Sequence, residues 1–174
     1  MSHRLIEEWM GEQVETLADL LRPSLRAICV GINPAPASVA AGHYYQGPLG
    51  QGFYSRLRRA GVLPSGAGWE DDLAFANGIG FTDIIKRPTA SAKELRKAEY
   101  EHGLALLMEK LDVAEPELVI FTFKKTATVV FGSFSGSGFI GKKLGGAEVF
   151  VMPGPYAPGA TVEAQLSELR RSFT

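Results

Sequence analysis

Apolar and polar positions divide the chain into alternating helical and extended segments. From Leu5 to Leu21 the residues Leu5, Ile6, Trp9, Met10, Val14, Leu17, Leu20 and Leu21 recur at helical spacing, which predicts an amphipathic helix closed by Pro23. Leu25 to Gly31 is a short apolar run, the pattern of a strand buried on both faces. Asn33 precedes a proline, so its backbone is extended and no helix begins there. Ala35 to Gly52, rich in small and turn-forming residues, reads as a long irregular loop, the kind of segment that is usually functional in a compact domain. Phe53 and Leu57 mark one face of a short helix ended by Gly61, and Pro64 to Gly68 reads as a surface turn with Trp69, Leu73 and Phe75 packed beyond it.

The second half repeats the alternation. Ile79 to Ile85 is a second strand running into Lys86-Arg87-Pro88-Thr89. Ser91-Ala92-Lys93-Glu94 has the capping-box pattern and predicts a helix through about Leu111, with Leu95, Ala98, Ala105, Met108 and Leu111 on its buried side. Glu117 to Phe123 is the most convincing strand, followed by a short helix around Ala127 to Phe131 and a Gly/Ser loop from Gly132 to Gly138. Val149 to Met152 is the last strand, ended by Pro153-Gly154-Pro155-Tyr156-Ala157-Pro158, and Val162, Leu166 and Leu169 mark a closing helix.

Strands alternating with helices predict an α/β fold: a single domain spanning 1–174, three-layer αβα, with a short, largely parallel central sheet. In such sheets ligands bind at the carboxyl ends of the strands. The turns Gly31 to Pro36, Asp83 to Thr89, Phe123 to Thr126 and Pro153 to Pro158 are therefore expected to meet on one edge. Basic residues in those turns, Lys86, Arg87, Lys124 and Lys125, would then surround one cleft.

Composition narrows the setting. The chain has 174 residues, 45% of them hydrophobic, enough for a core without disulfides. The lone cysteine, Cys29, lies in an apolar run and reads as a buried, reduced thiol. The reduced thiol points to a cytoplasmic address; with no apolar stretch approaching the roughly 18 residues of a membrane span, and Glu7 and Glu8 early, neither a membrane anchor nor a signal peptide is expected, and the chain is expected to be a monomer. A formal net charge of −1 neither suggests nor excludes nucleic acid, because binding depends on where the charges sit.

Familiar catalytic signatures are scarce. No Gly-x-Ser-x-Gly elbow or phosphate loop is present. His3, His43 and His102 are far apart in the chain, so a site without metal or cofactor is expected. What remains is the Asn33 amide at a strand end, with Tyr44 and Tyr45 in the next loop. An amide offers both a donor and an acceptor and an aromatic ring offers a stacking face, a combination that suits a nucleobase. Turn formation alone also accounts for an asparagine before proline.

Three blocks carry a resemblance: Gly31-Ile32-Asn33-Pro34, then Gly42-His43-Tyr44-Tyr45-Gln46-Gly47-Pro48 with Phe53-Tyr54, then Gly80 to Thr89. In order and at this spacing they resemble the mismatch-specific uracil/thymine-DNA glycosylase branch of the uracil-DNA glycosylase superfamily, over about Leu25 to Pro158. The resemblance implies a monofunctional DNA glycosylase that hydrolyses the N-glycosidic bond of uracil, or of a related deaminated or mismatched base, and so initiates base excision repair after flipping the base. It assigns Asn33 the catalytic task of placing the attacking water. An amide orients water but cannot ionise it, which suits a transition state close to an oxocarbenium ion. Strong uracil excisers of the superfamily carry an aspartate in this motif and this chain does not, so a slower enzyme is expected.

The same resemblance puts Gly31, Ile32, Tyr45, Asp83, Gly154 and Tyr156 around the base, with backbone contact from Ile32 and stacking from Tyr45. Core packing for Ile32, a sheet-edge cover for Tyr45 and ion pairing for Asp83 are the alternatives. Lys86, Arg87, Lys124, Lys125 and Pro158 are the expected DNA contacts. The departure lies in the second motif: Gly154 stands where relatives carry an asparagine or histidine, and Pro158 near their hydrophobic wedge, with Tyr156 able to serve either role or only to pack the turn. That loss keeps a catalytically impaired damaged-DNA or nucleobase binding module in view.

Overall fold

A five-stranded sheet forms the centre of the computed structural model, which describes Met1 to Thr174. In chain order its strands are β3 (Ala27–Gly31), β4 (Ile79–Asp83), β5 (Leu118–Phe121), β6 (Gly138–Leu144) and β7 (Ala147–Val151). They lie side by side as β4-β3-β5-β7-β6, the first four parallel and β6 antiparallel on the edge. Side chains of the parallel strands alternate between two cores. Ala27, Cys29, Phe81, Ile120 and Phe150 face one side, and Ile28, Val30, Val119, Phe121 and Val149 the other. Both faces need cover, and this is why these strands read as unbroken apolar runs.

Helices supply that cover. α2 (Pro48–Arg59), α3 (Glu70–Ala76) and α6 (Gly159–Arg171) pack on the Cys29 side through Phe53, Leu57, Ala74, Val162 and Leu166. α4 (Lys97–Ala114) and α5 (Lys124–Phe131) pack on the Ile28 side through Leu107, Leu111 and Ala127. The result is the expected α/β sandwich of three layers. No helix is long and apolar enough to cross a membrane.

The predicted N-terminal helix is instead a β-hairpin, β1 (Arg4–Trp9) paired antiparallel with β2 (Glu12–Leu17). Met10 (φ 51°) and Gly11 (φ 85°) take the two left-handed positions of a tight hairpin turn. Trp9, Val14 and Leu17 point inward while Ile6 stays 70% exposed, so the apolar set that looked helical is split between inside and outside. Two further expectations change. The presumed loop Ala35 to Gly52 contains α1 (Pro36–Ala41) and the start of α2, each with proline in its first turn. The Ser91 capping box closes only a 3₁₀ turn, Ala92–Glu94, and α4 begins at Lys97.

The buried stripe of α4 is Glu99, Gly103, Leu107, Leu111 and Ala114, one step round from the predicted face. A charged residue leads it. Glu99 is fully buried and accepts bonds from Arg87 Nε at 2.7 Å, the Arg96 amide at 2.9 Å and Trp9 Nε1 at 3.2 Å. Arg87 above all, then the Arg96 amide and side chain, holds its carboxyl near 2, below the ordinary 4.5. A carboxyl lowered on folding stabilises the fold above its unfolded value and loses that contribution as pH falls through 4.5 toward 2. Glu99→Gln is therefore expected to cost about 3 kcal/mol at pH 7 and little near pH 2, checked by urea melts at both.

Candidate functional site

The chain enters the sheet at β3 and lays β4 on one side of it and β5 on the other. Connections leaving β3 and β5 thus part in opposite directions, and a crevice opens at their carboxyl ends. A pocket of about 410 Å³ occupies this place. Gly31, Ile32 and Asn33 come to it from β3, Asp83 and Thr89 from β4 and the turn beyond, and Phe123 and Thr126 from the start of α5. Tyr45 and the Gly47-to-Gly50 entry into α2 close the remaining side.

Asn33 is held by its nitrogen. Its Nδ2 donates to the Arg87 carbonyl at 2.9 Å and to Thr89 Oγ1 at 2.8 Å, and the Thr89 hydroxyl in turn donates to the Ser91 carbonyl at 3.0 Å. A carbonyl can only accept, so this chain fixes which end of the amide is which. Oδ1 is left as the free acceptor of a residue that lines the pocket. That is what placing a water requires, because an acceptor binds the water's hydrogen and leaves its oxygen lone pair turned outward. Ile32 also lines the pocket, and its carbonyl accepts from the Ile85 amide at 2.8 Å.

Asp83 forms the floor. It is the last residue of β4, 1% exposed, and neither carboxyl oxygen has a hydrogen-bond partner. Its register partner across the sheet is Gly31, where a Cβ would stand 2.2 Å from Asp83 Oδ1. Glycine at position 31 is thus what admits the carboxyl. Burial, opposed in part by Lys86, raises the Asp83 pKa from 3.8 to about 7.

Tyr45 has a left-handed backbone (φ 57°), uncommon for a bulky residue and held here by its surroundings. The neighbouring Tyr44 amide donates to Asp71 Oδ2 at 2.8 Å, the Gln46 amide to Ser38 Oγ at 3.0 Å, and Tyr54 Oη to the Tyr44 carbonyl at 2.9 Å. Gly50 belongs to the same clamp, since a Cβ there would meet the Tyr45 carbonyl at 2.1 Å. The Tyr45 ring packs edge-on against Phe53 and Phe81, with its hydroxyl buried and unpartnered.

Histidines far apart in the chain meet in space. Ligand-type atoms of His3, His43, Asp71 and Asp72 lie within 4.8 Å of one another. Hydrogen bonds already engage them: His43 Nδ1 with Asp71 Oδ1 at 2.8 Å, His3 Nε2 with Asp72 Oδ1 at 2.7 Å, and the Asp72 amide with Asp71 Oδ1 at 2.9 Å. The cluster clasps the loop that presents Tyr45.

Basic residues divide. Lys86 is 3% exposed, its ammonium bonded to the Leu17 carbonyl and to Asp19 Oδ1 at 2.9 Å, and Arg87 is engaged by Glu99. These pairs take Lys86 away from the surface and engage the partly exposed Arg87, and a sequence does not reveal that a cluster of cations has buried carboxylates opposite. Lys124 and Lys125 are exposed at the start of α5, directly after Phe123. In the second motif, Gly154 lies outside the main pocket and its carbonyl accepts from Arg56 at 2.8 Å. Pro155, Arg56 and Phe123 line a smaller recess beside it, Tyr156 is 97% exposed, and Pro158 is exposed before α6.

Sequence reasoning missed Phe123, Thr126 and Thr89 at the site. Phe123 and Thr126 belong to the strand-end turn already singled out, and Thr89 to the third block, so position alone could have found them.

Comparison with known proteins agrees with the geometry. A family model described as the uracil DNA glycosylase superfamily matches residues 18–161. The chain is 33% identical over 99 residues to a G/U mismatch-specific uracil DNA glycosylase of Schizosaccharomyces pombe. That alignment covers 55% of this chain and 30% of the relative, so the chain spans about a third of the relative's length.

Proposed function

We propose that this chain, which belongs to the uracil-DNA glycosylase superfamily, is a monofunctional DNA glycosylase that hydrolyses the N-glycosidic bond of uracil in DNA. The observation that carries the reading is the tethered amide of Asn33, a pocket-lining residue whose nitrogen is tied back through two hydrogen bonds and whose oxygen is left free to accept. Water held on Oδ1 attacks C1′ as the C1′–N1 bond breaks, its electron pair leaving with the base. An oxocarbenium-like centre needs a placed nucleophile more than a strong one. No lysine lines the pocket to attack C1′ in water's place, which favours hydrolysis over an imine-forming lyase.

The pocket lies below the strand ends, so the base must leave the duplex to reach it, at a cost that is least for mismatched or single-stranded bases. Ile32 offers backbone and Tyr45 and Phe123 offer ring faces to the flipped base. Lys124 and Lys125 hold phosphates, and Tyr156 with Pro158 enters the duplex beside the vacated position. The enzyme works as a cytoplasmic monomer at the first step of base excision repair.

Gly154 favours a second reading, a binding module that retains damaged DNA without base release. Incubation with uracil-containing duplex and single-stranded oligonucleotides at enzyme excess, followed by alkali, separates the two. Strand breaks at the uracil are expected; salt-sensitive binding without breaks selects the second reading.

A further inference from the structure

We propose that Asp83, as a neutral carboxylic acid, donates a hydrogen bond to a carbonyl oxygen of the departing base, taking the leaving-group role that the second motif leaves open at Gly154. The proposal rests on the glycosylase reading above. Three features of the floor support it. Asp83 is 1% exposed, it lines the pocket, and both of its oxygens lack partners, so neither is committed to another group of the protein. Tyr45 Oη, also buried and unpartnered, lies on the same spot: the point where a Gly31 Cβ would stand is 2.2 Å from Asp83 Oδ1 and 3.3 Å from Tyr45 Oη. Two hydroxyl-type donors thus converge where a glycine has left room.

The chemistry of the leaving group asks for a donor. When the C1′–N bond breaks, its electron pair stays on the base, and in a base with a carbonyl beside a ring N–H the negative charge spreads to the carbonyl oxygen. The water oxygen bonds to C1′, a water proton passes to solvent, and Asp83 keeps its proton while its O–H shares it with that oxygen. A neutral carboxyl also accepts from the adjacent ring N–H through its own C=O. The substrate class is therefore bases with this lactam edge, uracil among them. An ionised Asp83 would set a negative charge against the developing anion.

The surroundings leave Asp83 without a cation of its own. Lys86 from the turn after β4 and Lys110 from α4 both bind Asp19, which follows β2, at 2.9 and 2.8 Å. Asp19 itself opposes ionisation of Asp83, and Tyr44, Tyr45 and Tyr54 face it as neutral phenols. Burial, the largest influence, keeps the acid form up to about pH 7.

The test is the pH profile of single-turnover uracil excision for the wild type, Asp83→Asn and Asp83→Ala, with melting curves to check folding. Wild-type rate is expected to fall about tenfold per pH unit above pH 7, while Asp83→Asn, whose amide donates at every pH, shows no such limb. Asp83→Ala is expected to be at least about tenfold slower at pH 6 and to lack the limb. Excision with the same alkaline limb in wild type and Asp83→Asn, or with none in wild type, overturns the role of Asp83 and leaves the glycosylase reading intact. Absence of excision by any form overturns the glycosylase reading instead. Affinity for a duplex carrying 2′-fluoro-deoxyuridine, which resists cleavage, then decides for Asp83. A loss between pH 6 and 8.5 in wild type but not in Asp83→Asn supports hydrogen bonding by the acid, and equal behaviour overturns it.

Discussion

Asn33→Ala is expected to lower single-turnover uracil excision by about 10²-fold or more while DNA binding persists. The size follows from what Oδ1 does. Without an acceptor fixed at the pocket wall, water still enters, but its lone pair is no longer held toward C1′, and misplacement of a nucleophile by an ångström is enough for a loss of that order. Asn33 also ties the β3 turn to the β4 turn through Arg87 and Thr89, so a stability loss of about 1–2 kcal/mol accompanies the substitution. Thermal melting separates the two effects. Thr89→Val offers a graded control: it removes one of the two acceptors for Nδ2 and keeps Oδ1, so an intermediate rate is expected. An Asn33→Ala enzyme as fast as wild type would remove Asn33 from the mechanism.

How far the sequence revealed this arrangement depends on how local each signal was. β3, β4, β5 and β7 were legible because both faces are buried, and unbroken apolar runs between turn residues have few other readings. The hairpin of β1 and β2 was not: Leu5, Trp9 and Met10 happen to fall at helical spacing, and the contrary sign, Gly11 in the middle of the run, is weak by itself. Within the site, Asn33 and Tyr45 were singled out through the blocks that carry the resemblance, and both line the pocket. The burial of Lys86 was not legible, because its partner Asp19 lies 67 residues before it and nothing local announces the pairing. Glu99 shows the same blindness from the other side. A charged residue on a helix reads as solvated, and its burial against Arg87, Arg96 and Trp9 moved the packed face of α4 by a step.

Asp83→Asn is expected to stabilise the fold by up to about 4 kcal/mol at pH 8 and by almost nothing near pH 3. The sign follows from the direction of the shift. In the unfolded chain the carboxyl ionises around 3.8, and in the folded protein only around 7, because burial disfavours the charge. Folding is therefore most favourable below 3.8, where both states carry the proton. Stability declines as pH rises from there through 7, since the unfolded state gains an ionisation that the folded state resists. An amide of the same shape shares the carboxyl's burial but not this penalty. Urea melts of both proteins at pH 3 and pH 8 measure the difference directly. A gap that failed to widen with pH would mean that the Asp83 carboxyl is solvated in the folded protein. Selection for stability alone favours asparagine at this position, with the same shape and no ionisation. An aspartate that lowers stability at neutral pH, with a glycine opposite to make room for it, is better explained by the proton it can hold over the base than by any contribution to the fold.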